Sequence, residues 1–132
     1  MANIKLVLDY GASHQDAILT YQASDMVLVV HSNASYLSKP KARSRAGDHF
    51  FMSSNVSNPH NNGAVLNIAQ LIKAVMSLAA EAELGALYIK AREAVPMRQL
   101  LTEMGHNQPK TPIQTDNTTA CGVLNNNIQP RR

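Results

Sequence analysis

Three acidic side chains and one amide have types and placements suited to chemistry. Glu81 and Glu83 lie in SLAAEAELG, Asp116 in PIQTDN, and Asn33 in VVHSN. Both glutamates open the longest helical pattern of the chain, while Asn33 and Asp116 end short apolar, strand-like runs. Carboxylates gathered at strand ends, without thiolates or a His-x-x-x-His spacing, suit a hard, oxygen-loving ion. Mg²⁺ or Mn²⁺ is therefore the expected cofactor. Two such ions about 4 Å apart can activate a water and stabilise the leaving oxygen in phosphodiester cleavage. A plainer alternative is open for each residue. Glu81 and Glu83 are also reasonable as solvated first-turn carboxylates that complement the helix dipole, and Asp116 as a helix N-cap. The helix alone does not choose between the glutamates, which fall on opposite borders of its apolar stripe at about 100° per residue.

Other chemistries find less support. Cys121 is the only cysteine, which excludes an internal disulfide and a cysteine-based zinc cluster, and its neighbours Ala120 and Val123 suggest packing. His14, His31, His49, His60 and His106 show no ligand spacing and read as surface or satisfied core residues. Gly-x-Gly-x-x-Gly, P-loop and Gly-x-Ser-x-Gly motifs are missing. With 132 residues, 45% hydrophobic and 16% charged, the chain suits one globular domain with a sizeable core. Its net charge of +3 is compatible with a nucleic-acid partner. No apolar run approaches the roughly 18 residues of a membrane span, and MANIKLVLDYG lacks the apolar region of a signal peptide. An intracellular location, cytoplasm or nucleus, is the expectation.

The elements that must position these residues follow from pattern. Met76 to Met104 reads as a helix with Ala80, Leu84, Leu87, Tyr88, Ala91 and Val95 as its apolar stripe. Ser77 is the expected N-cap, Gly85 a point of close approach to a sheet, Pro96 a kink or the start of a second segment, and Gly105 the C-cap. Met26 to Asn33 is a strand buried on both faces. Gly47–Ser53 and Ala64–Leu71, the latter with a continuation after a bulge to Val75, complete an antiparallel meander. Thr111–Thr115 is a fourth strand, expected to lie parallel to the first, and Thr118–Leu124 a short helix. Asn3–Tyr10 is a short amphipathic segment, Ala17–Tyr21 a further strand candidate, and Asn125–Arg132 a polar tail. In an extended segment Lys39, Lys41, Arg43 and Arg45 would share one face and could track a phosphate backbone; a solvated hairpin arm is the alternative. The fold class is thus α/β, more closely α+β with a mixed sheet.

Three segments resemble the ribonuclease H domain of copia-type LTR retrotransposon polyproteins: VVHSNASYLS with KARSRAGDHFF, SLAAEAELGALYIKAREAVPMRQLLTEMG, and PIQTDNTTACGVLNN with IQPRR. They occur in the family's order over about residues 26–132, and residues 1–25 resemble the connector from a reverse transcriptase. The resemblance implies a ribonuclease H-like sheet of order 3-2-1-4-5 and an RNA–DNA hybrid as substrate. It also implies Mg²⁺ or Mn²⁺ at Glu83 and Asp116, and a polyprotein as covalent partner. It selects Glu83 over Glu81. Two departures weaken the implied activity. The family's leading aspartate, which bridges both ions, falls on Asn33. The sequence also ends where the family continues into a last strand and helix, so the resemblance implies an incomplete fold. Alternative readings are a non-catalytic nucleic-acid-binding domain and a retroelement relic without function.

Overall fold

The structure is a computed structural model and describes residues 2–125. Its order is α1 (Ala2–Ser13), β1 (Val27–Lys39), β2 (Arg43–Ser53), β3 (Ala64–Leu71), α2 (Ala79–Glu103), β4 (Ile113–Thr115) and α3 (Thr118–Leu124). The four strands form one mixed sheet of order β3-β2-β1-β4. The meander is antiparallel, and β4 joins β1 in parallel, with Ser32 beside Thr115. This is the arrangement expected from three sequential strands, a crossing helix and a fourth strand.

The apolar run of β1 is buried on both faces, as its composition requires. Leu28 and Val30 pack with Phe50 beneath Ala94 and Leu101 of α2. Val29 and its cross-strand partner Phe51 are buried on the opposite face, where the His31 ring meets Phe51 edge-on. A second cluster, Ala46, Ile72, Ala82 and Ala86, fills the space under the start of α2.

Beyond residue 104 the chain is fastened before β4 begins. The Gln108 amide stands in for a strand partner: its Oε1 accepts from Leu28 N–H at 3.0 Å and its Nε2 donates to Met26 O at 2.8 Å. Arg98 of α2 donates to the carbonyls of Gln108 and Pro109 and to the Thr111 hydroxyl. These bonds bring β4 into register, and Val30 N–H then donates to Pro112 O.

Several expectations need correction. Residues 17–21 form no strand; Ile18 and Leu19 stay exposed, and only Tyr21 reaches the sheet, donating to Ala64 O. Strand β3 ends at Leu71 rather than continuing to Val75; Ile72 N–H makes a last bond in the same register, to Ser44 O, and the chain bends at residues 73–74. Helix α2 runs unbroken through Pro96, which lies on its exposed side. There the carbonyl that loses its partner can be met by water. Leu78, not Ser77, occupies the N-cap position, and Ser77 N–H is instead bound by the Glu81 carboxylate at 2.7 Å. A Cβ on Gly85 would lie 2.9 Å from Met76 Cε, so the close approach is to the β3–α2 connection and not to the sheet. The buried face of α2 is also rotated from the expected stripe. Tyr88, Ala91 and Val95 are exposed, whereas Glu83 and Lys90 are buried. Gly105 does end the helix, at φ +92°. Its N–H donates to Thr102 O and that of His106 to Leu101 O, a Schellman closure. Of the polar tail, residues 126–132 lie outside the described residues.

Candidate functional site

The parallel pairing of Ser32 with Thr115 puts Asn33 and Asp116 next to each other along the two chains; β4 ends there, while β1 continues beside β2 to Lys39, with Asn33 paired to Gly47. Both are exposed. Asp116 is free to serve the site because the helix behind it is capped by its neighbour: Asn117 Oδ1 accepts from Ala120 N–H at 2.9 Å. The N-capping alternative for Asp116 is thereby removed.

Glu83 enters from the second turn of α2 and is 5% exposed. Its Oε1 accepts from Ala34 N–H at 2.8 Å, one residue past Asn33. Its Oε2 is buried without a hydrogen bond. Burial raises the Glu83 pKa above the ordinary carboxylate value. The Ala34 N–H opposes that shift, the nearby charge of Asp116 adds to it, and the Thr115 side chain, close by but outside hydrogen-bond geometry, again opposes it. The structure separates the two glutamates that the helix pattern could not. Glu81 is exposed and folds back on Ser77, while Glu83 points at Ala34 of β1.

Asn33 and Asp116 share an open depression of about 330 Å³ with His31, Ser32, Gln114 and Thr115. Burial and the neighbouring His49 hold the His31 imidazole below its usual pKa, against an opposing effect of the Gln114 side chain. Among the described residues, no three of His, Cys, Asp and Glu gather around a common cation position. Glu83 lies close enough to Asp116 to feel its charge, and Asn33 beside them carries an amide. Glu83 and Asp116 are oxygen donors of the right kind for Mg²⁺ or Mn²⁺, and the unsatisfied Oε2 is the atom that a cation would satisfy.

The basic residues are not arranged as one extended row. Strand β1 runs on to Lys39, and the chain reverses at Pro40 through Lys41 and Ala42, both at positive φ. Lys39 pairs across the hairpin with Arg43, Lys41 sits at its tip, and Arg45 lies opposite Ser35. The four cations belong to a hairpin end, with Lys41 and Arg45 exposed and Lys39 and Arg43 half-buried. Cys121, expected to pack, is an exposed free thiol.

A buried ion pair escaped the sequence reading. Lys90 is fully buried with its Nζ 2.9 Å from Asp48 Oδ1, and it also donates to Ser32 Oγ. Desolvation pulls the Lys90 pKa down to about 8. A lysine on the helix face that carries Ala86 and Ala94, opposite an aspartate alternating with Ala46 and Phe50, was the available signal. Comparison with protein-family models, with curated proteins and with solved structures finds no match to this chain.

Proposed function

We propose that this chain is a ribonuclease H-like domain of retroelement type. In this reading Asn33, Glu83 and Asp116 descend from a divalent-cation site that hydrolyses the RNA strand of an RNA–DNA hybrid. The observation that carries the reading is the approach of Glu83 and Asp116 to the Asn33–Ala34 stretch of β1, with a buried Glu83 oxygen left unsatisfied. When bound, Mg²⁺ or Mn²⁺ would supply an activated water and charge stabilisation at the phosphate. Glu83 and Asp116 would hold it, with Glu83 oriented by the Ala34 amide. Asn33 offers one neutral carbonyl oxygen where an anion is required, so cation affinity and hydrolysis are weak in this chain.

The test is cleavage of a labelled RNA–DNA hybrid in Mg²⁺ and Mn²⁺ by the chain and by its Asn33→Asp variant. The variant is expected to cut well above the parent, and Glu83→Gln added to it to abolish the gain. Equal inactivity of the parent and the Asn33→Asp variant would remove catalysis from the reading. A second reading, a domain that binds nucleic acid without cutting it, is favoured by the basic hairpin end at Lys39, Lys41, Arg43 and Arg45. It predicts hybrid binding that weakens steeply with salt and is indifferent to Asn33→Asp.

A further inference from the structure

The Lys90–Asp48 pair lies outside the depression, at the centre of the interface between α2 and the sheet. Three elements each pass there from apolar to polar and back. In β1 the sequence is Val30, Ser32, Ala34; in β2 it is Ala46, Asp48, Phe50; in α2 it is Ala86, Lys90, Ala94. The three polar residues meet one another, and the two apolar clusters lie on either side. A buried ion pair generally does no better for stability than apolar side chains of similar volume, so stability alone does not account for it. A small-residue helix face on an apolar sheet can settle in several registers. A single buried polar contact admits one, which is the best-attested use of such groups.

The register matters for the site. Lys90 follows Glu83 by two helical turns on the same buried face, and Ser32 directly precedes Asn33 and stands two residues before Ala34. We propose that Lys90 and Asp48 are positioning residues. Through Ser32 the pair fixes the middle of β1 against α2 and so holds the Glu83 carboxylate on the Ala34 amide. The proposal rests on reading Glu83 as a site residue, but its test needs no metal.

The experiment is ¹⁵N–¹H spectroscopy of the full chain, following the Ala34 amide through an acid titration. A proton bonded to a carboxylate oxygen at 2.8 Å resonates downfield and reports the ionisation of Glu83. Two variants are compared with the parent. Lys90→Met with Asp48→Leu removes both charges together, and Ser32→Ala keeps the ion pair but cuts its tie to β1. Both are expected to melt within about 5 °C of the parent. In both, the Ala34 proton is expected to move upfield, lose its Glu83 titration, and exchange with solvent faster by about tenfold or more. A purely stabilising pair would leave the Ala34 shift and titration at parent values in both variants, and that result overturns the proposal. Should the double variant fail to fold, Ser32→Ala decides alone by the same criterion. Failure of Mn²⁺ to bind the Asn33→Asp chain would count against the cation reading and leave this measurement unaffected.

Discussion

Two charged residues are buried on the same face of α2, two turns apart, and the structure treats them differently. Lys90 has a charge partner: Asp48 Oδ1 faces its ammonium at 2.9 Å and Ser32 accepts from it, while Asp48 Oδ2, like Glu83 Oε2, is buried without a hydrogen bond. Glu83 differs: among the described residues no cation pairs with it, one oxygen has no hydrogen bond, and the like charge of Asp116 acts on it. Burying a charge without compensation works against folding. In the proposed reading, the uncompensated charge is where a cation would bind.

That contrast can be broken from either side. The largest effect belongs to Lys90→Met, which leaves Asp48 buried alone. Urea denaturation should show a loss of about 3–5 kcal/mol, most of it returned when Asp48→Leu is added. A small loss in the single variant would mean that the pair is not a compensated one. Next comes Asn33→Asp, which adds a third anion beside Glu83 and Asp116. Its melting temperature should fall below that of the parent in chelator, and rise when Mn²⁺ is added. A hundredfold excess over Kd corresponds to about 2.7 kcal/mol of stabilisation.

Glu83→Gln is smaller and opposite in sign. Folded Glu83 keeps its proton to higher pH than the unfolded chain does, so the folded state binds more protons above the ordinary glutamate value. Its contribution is most favourable at low pH and is lost as pH rises through the raised pKa. The amide retains an acceptor for Ala34 N–H and removes the charge. The variant should therefore be more stable than the parent at pH 7, by about 1 kcal/mol. The advantage should vanish below about pH 4, where the carboxyl is protonated in both states. Urea melts at the two pH values check both the sign and the window. The smallest expected change is at Asn117→Ala, where loss of the α3 cap should cost about 0.5–1 kcal/mol by the same method. An unchanged stability there would return Asp116 to the role of cap and weaken its place in the site.

Much of this arrangement was legible before the structure. Val27 to Val30 could hardly be anything but a central strand, and both Ala64–Leu71 and Thr118–Leu124 fall where their patterns put them. The end of β4 before Asp116 follows from its pattern, but β1 does not end at Asn33 as expected: it stays paired with β2 and runs on to Lys39. What remained hidden depended on partners distant in sequence. Periodicity ranks Tyr88 and Val95 above Lys90 for burial, because the scale cannot know that Asp48 waits across the interface. Glu81 and Glu83 look alike on a helix until one finds Ser77 N–H and the other Ala34 N–H. Pro96 signals a break from local sterics, but a long helix anchored on both sides, by Ala94 and Leu101 in the core, carries it on its exposed side. The hairpin at Lys41 needs two consecutive non-glycine residues at positive φ, and nothing in SKPKARSR announces that.

The most direct test of the central claim is a Mn²⁺ titration followed by electron paramagnetic resonance. It compares the parent, Asn33→Asp, and Asn33→Asp with Glu83→Gln. Asn33→Asp should bind tighter than the parent by about tenfold or more, equivalent to about 1.4 kcal/mol, and the added Glu83→Gln should cancel the gain. If all three bind alike, or none binds, then Asn33, Glu83 and Asp116 are neighbours in the fold without forming a cation site.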